Sequence, residues 1–385
     1  MLPHHPLVLL TAAALLGAPP DDASPARPGA APAVEQERAS STAGPGEVAV
    51  HEALERGLAF LATQQDLEPD GSFPAGRKET YAPVGITALA ALAFMAGGST
   101  PRRGPYREEV RQAVEYLLSR SSDDLAPGYI RDEADGHSRM HGHGLATLAL
   151  AQAYDSSPSS GLGQRIAKTL EAAVRCIEGS QSLEGGWYYY PDNKTDHEGS
   201  ITVCVVQALR AARNAGILVD KGVIDRAIDY VQRLQQEDGG FAYSLHQTEQ
   251  VSIALTAACL STLHATGIYD GAVVDRGYDW LWRELAARDE ARRLGSVTLE
   301  ARFPFYERFY LMQTLWQHRD PKVFERWFAE EVVRVVREQK ENGSWVDRRH
   351  ERGLPQEGMY GSSYSTAMNC LFLALPDGLL PIFQR

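Results

Sequence analysis

The sequence predicts an all-α protein, an (α/α)6 toroid of six outer/inner helix pairs. Three observations carry that expectation. A phrase of about 50 residues recurs from residue 47 onward, and a fixed period of that size marks a repeat architecture. Two kinds of helix alternate within it. The turn joining them keeps a Gln, a Gly and an aromatic in the same order.

The chain has 385 residues, 44% hydrophobic and 23% charged, with a net charge of −12. That composition is globular, and the acidic balance argues against nucleic acid or anionic membrane as the main partner. Four cysteines are too few for a disulfide scaffold. Residues 1–18 contain the apolar run 7–17, too short to span a bilayer and suited to a signal-peptide core, although no Lys or Arg precedes it. Residues 19–46 are rich in Pro, Ala, Ser and Gly, as a disordered linker is. Export to the periplasm or the extracellular space is expected, with no transmembrane segment in the mature chain. A wrongly chosen start codon is the alternative reading of the same residues.

The repeat domain is expected over 47–385. Its clearest phrases are Gln64-Gln65…Asp70-Gly71-Ser72-Phe73, Gln181…Gly185-Gly186-Trp187, Gln235-Gln236…Asp238-Gly239-Gly240-Phe241 and Gln339…Asn342-Gly343-Ser344-Trp345. A degraded copy ends in Pro127-Gly128-Tyr129. The marked aromatics lie 56, 58, 54 and 104 residues apart, the last interval being two steps of 52. Helices Val273–Ala287 and Phe305–His318 fill the gap with a pair that has lost its turn signature. After each turn comes a helix that is small and apolar on every side: Val84–Ala96, Gly142–Tyr154, Ser200–Ala215, Val251–Thr266 and Ser363–Leu375. Such helices are buried, whereas those before the turns, such as Val223–Gln236, are amphipathic. The apolar helices therefore form an inner ring and the amphipathic ones an outer ring. An open solenoid of the same pairs is the structural alternative.

These Gln…Gly-Gly-Trp and Gln…Asp-Gly-Gly-Phe phrases resemble the repeats of squalene cyclases and of protein prenyltransferase β subunits, which are α/α toroids. The resemblance covers residues 51–375. His143-Gly144-Leu145-Ala146-Thr147-Leu148 and Leu380-Pro381-Ile382-Phe383 also look like exported bacterial proteins of this repeat type, whose activity is generally unassigned. Fold is what such a motif specifies; function needs a site.

The resemblance implies chemistry that the residues do not repeat. The cyclase motif Asp-x-Asp-Asp is approached only by Ser121-Ser122-Asp123-Asp124, which lacks the first carboxylate and reads as a solvated turn. An Asp-Asp-x-x-Asp diphosphate motif is absent after both Asp21-Asp22 and Asp123-Asp124. Prenyltransferases hold zinc through Asp-x-Cys, and the residues two before the cysteines are Val174, Thr202, Ala257 and Met368. Cys204 and Gln207 have thioester spacing without the intervening Gly-Glu. No cofactor is expected. Zinc on His137, His141 and His143 is the alternative, on an awkwardly Gly-rich stretch.

All six inner-helix N-termini must point to one end of the barrel, so the residues just before them line one rim. Chemistry at that rim would use His141 or His143 as base and Asp196 or Glu198 as acid or orienting group. Trp187, Tyr188, Tyr190, Arg308 and Tyr364 would contact the ligand. The competing structural readings are helix capping by Asp196 and Glu198, and a turn anchor for Trp187. Three functions follow: a cyclase- or prenyltransferase-like protein holding an apolar or isoprenoid ligand, a carbohydrate hydrolase or lyase acting on a glycan, and a non-catalytic binding toroid. Aromatic and aliphatic cavity walls favour the isoprenoid, a polar open cleft the sugar.

Overall fold

A computed structural model describes residues 45–77, 80–122, 125–156, 158–351 and 354–380. The expected signal peptide, nearly all of the expected linker, Asp123 and Asp124, and residues 381–385 lie outside them. Among the described residues, twelve α-helices form six pairs: α1 (Pro45–Gln65) and α2 (Pro83–Ala96), α3 (Arg107–Ser119) and α4 (Arg139–Asp155), α5 (Gly161–Gly179) and α6 (Gly199–Asn214), α7 (Lys221–Arg233) and α8 (Ile253–Ala265), α9 (Ala272–Arg293) and α10 (Pro304–Trp316), α11 (Pro321–Glu338) and α12 (Ser362–Ala374). The helix α1 starts two residues inside the segment expected as linker.

Even-numbered helices form the inner ring. Each packs on the next, and α12 packs on α2. The circle is therefore closed, and the open solenoid is excluded. Every residue of α2 is buried, because its Ala, Leu, Ile and Phe residues leave no polar face. The outer α7 buries only Val223, Ala227, Tyr230 and Val231, one stripe at helical spacing.

The recurring turn has a common hydrogen-bonding plan. Gln65 Nε2 donates to Gly71 O at 2.8 Å and to Glu109 O at 3.1 Å. Gln181 does the same to Gly185 O and Val223 O, both at 2.9 Å. Gln235 reaches Gly239 O at 3.0 Å and Val273 O at 2.8 Å. Gln339 reaches Gly343 O at 2.9 Å and Ala53 O at 2.8 Å. One amide thus satisfies two carbonyls, one in its own turn and one in the following outer helix. At Gln339 the following helix is α1, so the last repeat bonds the first. The turn glycine has positive φ because the chain reverses there. A Cβ on Gly343 would also lie 2.2 Å from Arg56 O.

Phe73, Trp187, Phe241 and Trp345 are fully buried at these turns. Trp187 Nε1 donates to Ile177 O at 2.8 Å and Trp345 Nε1 to Val335 O at 2.7 Å, capping carbonyls near the ends of α5 and α11. The backbone N–H groups of Trp187, Phe241 and Trp345 donate to Thr202, Thr256 and Thr366 of the following inner helices. The anchor role expected of these aromatics is what the structure shows.

Among the described residues, three antiparallel hairpins depart from an all-helical reading: β1 (Ser121–Ser122) with β2 (Tyr129–Ile130), β3 (Ala242–Ser244) with β4 (Gln247–Val251), and β5 (Arg348–Glu351) with β6 (Leu354–Glu357). Each lies between an outer and an inner helix, so its position in the chain puts it at the rim. No helix among the described residues is long and apolar enough to cross a membrane.

Candidate functional site: a central cavity

The inner ring encloses a cavity of about 970 Å3 at its N-terminal end. That volume is at the top of the usual range for ligand pockets, roughly 300–1,000 Å3. First and second turns of the inner helices build the wall. α2 supplies Ile86 and Leu89, α4 His141 and Leu145, α6 Ser200 and Cys204, α8 Ile253 and Leu255, α10 Tyr306, Phe309 and Tyr310, and α12 Tyr364 and Met368. Tyr188 and Tyr189, with Tyr243 on β3, Trp280 on α9 and Tyr360, complete an aromatic belt. Exposed Gln247, Gln250, Leu299, Arg302 and Phe303 mark the mouth.

Below the cavity lining, Gln207 Nε2 donates to Gln313 Oε1 at 2.6 Å, and Gln313 Nε2 donates to Phe309 O at 2.9 Å. These buried amides join α6 to α10 across the ring interior. They are hydrogen-bonded, as groups taken out of water must be.

Of the residues singled out in the sequence, His141, Tyr188 and Tyr364 line the cavity. Burial pushes the His141 pKa down to about 4, so the ring is neutral at pH 7. Its Nε2 is buried without a hydrogen-bond partner. Tyr364 packs edge-on against Phe305 and Tyr360, and burial raises its pKa far above the ordinary range.

The other expected residues lie elsewhere. His143 faces away from the cavity: Ile130 N–H donates to its Nδ1 at 3.0 Å, and its Nε2 meets Ala173 O at 3.3 Å. It is a fully satisfied core histidine of the Nε2–H tautomer. Arg308 points toward the outer ring, with Nε 2.7 Å from Glu331 and Nη1 2.7 Å from Asn369. Trp187 is the buried anchor described above. Tyr190 is exposed beneath the guanidinium of Arg139, and exposed Asp196 bonds Asn193 at 2.9 Å. None of these five is among the cavity-lining residues.

Glu198 caps α6 just behind Ser200. Its carboxyl accepts from Ser200 N at 2.7 Å, Ile201 N at 2.6 Å and the Ser200 hydroxyl. Desolvation outweighs those bonds and raises its pKa to about 7. The capping role expected from its position is what the structure shows, and Glu198 is not among the cavity-lining residues. His137 lines the cavity but bonds Tyr360 Oη through Nδ1 at 2.8 Å. Among the described residues no group of three His, Cys, Asp or Glu side chains converges as a metal site would.

Three carboxylates line the cavity, and each lies beside an arginine. Glu307 pairs with Arg288, both buried. Glu300 meets Arg292 Nη2 at 2.6 Å, which holds its pKa low. Glu284 is 3.5 Å from Arg283 Nε. The sequence reading missed these pairs, and it missed the aromatic wall of α10. A signal was present: Phe305, Tyr306, Phe309 and Tyr310 repeat at i, i+1, i+4, i+5 on α10, the inner helix without an alanine.

No family model matches the chain. Over 175 residues, 45% of its length, it is 29% identical to the drimenyl diphosphate synthase of Streptantibioticus cattleyicolor and 26% identical to that of Streptomyces showdoensis. The match spans 29% of each relative's length. Solved structures overlap most of the chain, three of them as follows. Cellobiose 2-epimerase from Spirochaeta thermophila has a TM-score of 0.60 at 16% identity, covering 86% of this chain and 97% of its own. A type II terpene cyclase from Scytonema, bound to merosterolic acid A, has a TM-score of 0.57 at 15% identity, covering 87% and 99%. The α-1,6-mannanase GH76A of Salegentibacter has a TM-score of 0.59 at 10% identity, covering 84% and 98%. At such identities the likeness is one of fold: a terpenoid-cyclase-like α/α toroid, shared also with sugar-active enzymes.

Proposed function

We propose that this toroid binds an apolar, isoprenoid-type ligand in its central cavity. The observation that carries the reading is the wall itself. Tyr, Trp and Phe rings alternate with Ile86, Leu89, Leu145, Leu255 and Met368 around about 970 Å3 of space. Such a surface rewards burial of hydrocarbon at roughly 25 cal/mol per Å2 and offers few partners to a ring of hydroxyls. The drimenyl diphosphate synthases and the Scytonema cyclase support the same ligand class.

Alkene protonation is not part of the proposal. It demands a carboxylic acid far stronger than an ordinary one. Glu198 is weaker than ordinary, and the three carboxylates in the wall are paired with arginines. His141, neutral and in the wall, serves as a hydrogen-bonding group or weak base, with Tyr188 and Tyr364 as ligand contacts. We place the protein outside the cytoplasm, from the apolar run at residues 7–17.

A second reading, an exported hydrolase or lyase acting on a glycan, is supported by the epimerase and mannanase folds and by the polar mouth at Gln247 and Gln250. One experiment separates the two. The purified chain is incubated with lipid extract and with oligosaccharides, washed, and its bound material identified by mass spectrometry. Retention of an isoprenoid supports the first reading. Retention of sugar with no lipid refutes it.

A further inference from the structure

The mouth of the cavity carries two arginines that no carboxylate among the described residues neutralises. Glu284, Glu300 and Glu307 are balanced by Arg283, Arg292 and Arg288. Arg302 and Arg349 also line the cavity, and neither has an acidic partner among the described residues. Arg302 is exposed, its guanidinium 5.3 Å from the Phe303 ring centroid. Arg349 is half-buried on β5, and its Nε is buried without a hydrogen-bond partner. The backbones that carry them are tied together: His350 N–H donates to Arg302 O at 3.0 Å, and His350 Nδ1 meets Ala301 O at 2.9 Å. Arg348, next to Arg349 on β5, pairs with Glu338, and Arg77, from the segment before α2, pairs with Glu357 of β6.

We infer that Arg302 and Arg349 form a subsite for an anionic head group, a phosphate or a carboxylate, on an apolar ligand whose tail lies against Leu89, Leu145 and Met368. The inference rests on the apolar-ligand reading above and adds the charge and orientation of the ligand. A guanidinium left half-buried without an anion forgoes its strongest available hydrogen bonds. In a chain of net charge −12, two uncompensated arginines at the rim of an apolar cavity define one place where a negative ligand is favoured. The head is held where water still reaches it, and only hydrocarbon enters the ring.

The test uses the whole chain and three fifteen-carbon probes that differ only in the head: farnesol, farnesyl phosphate and farnesoic acid. Binding is followed by tryptophan fluorescence, since Trp280 lines the cavity. At least one anionic probe is expected to bind about tenfold or more tighter than the alcohol. Whichever anion it is identifies the head group. In Arg302→Gln plus Arg349→Gln the gap between anion and alcohol collapses to about threefold or less. The exposed single variant Arg302→Gln narrows it part of the way if the double variant does not fold. Farnesol binding as tightly as both anions, or a gap that survives the double variant, overturns the subsite and leaves the isoprenoid reading standing. Failure of all three probes to bind overturns both.

Discussion

If the ring is closed by the same bond that joins neighbouring repeats, breaking that bond at the seam must cost what it costs inside the ring. Gln339→Ala and Gln181→Ala are the matched pair. Each glutamine is half-buried and donates two hydrogen bonds of 2.8–2.9 Å to backbone carbonyls, one in its own turn and one in the next outer helix. Each also accepts from an arginine of that helix, Arg56 or Arg226. Two neutral bonds at about 1 kcal/mol each give an expected loss of about 2 kcal/mol per variant, with little from the partly exposed arginine contact. Urea unfolding followed by far-UV circular dichroism reads the loss as a shift in midpoint at constant slope. The two variants should agree within about 0.5 kcal/mol, the usual scatter for equivalent sites. In an open solenoid Gln339 would hold only its own turn, and its removal would cost about half as much. A Gln339→Ala loss of about 1 kcal/mol or less beside a full loss at Gln181 refutes closure by this bond.

Trp187→Ala is expected to cost about 3–5 kcal/mol in the same assay, because it empties a fully buried site and removes one of the donors to Ile177 O, leaving those of Ser180. Gly343→Ala should cost clearly more than Gly216→Ala. Both glycines have positive φ, but only at Gly343 does a Cβ meet a carbonyl oxygen, at 2.2 Å. Equal losses would mean the seam between Gly343 and Arg56 is loose. Acid should act through His141 and His143. Burial lowers both pKa values from 6.5 to about 4, so the native state binds fewer protons than the unfolded chain between those values. Their contribution is fully present above pH 6.5 and is lost as pH falls toward 4. Replacing His143 with Gln should shrink the stability difference between pH 7 and pH 4, and an unchanged difference would contradict the neutral assignment.

The inner helices were legible to within two residues at most ends because an Ala- and Leu-rich segment with no polar face has only one place to go. Their closure into a ring was legible as a number, six units, but its agent was not. That Gln339 bonds Ala53 depends on two residues 286 apart meeting. At the rim, position alone placed His141, Tyr188 and Tyr364 in the cavity. It failed at His143, two residues from His141, because a helix turns about 200° over two residues and sends that ring into the α4–α5 interface. It failed at Arg308 for a similar reason: Tyr306 and Phe309 take the inward face of α10, leaving Arg308 for Glu331. The hairpins that carry Gln247, Gln250 and Arg349 to the mouth lie in segments to which the sequence assigned no element, between the turn aromatics and the inner helices. Their strands are short and polar, with too little alternation to signal a sheet.

If the aromatic cavity is a hydrocarbon site, farnesol binds the native chain and loses affinity for chains whose cavity has been filled. Leu145→Trp and Met368→Trp each place an indole into the space lined by those side chains. Saturable one-to-one binding by the native protein is expected, with a loss of about tenfold or more in each filled variant that retains native circular dichroism. Cello- or manno-oligosaccharide binding in place of farnesol, or farnesol affinity indifferent to both tryptophans, would contradict it.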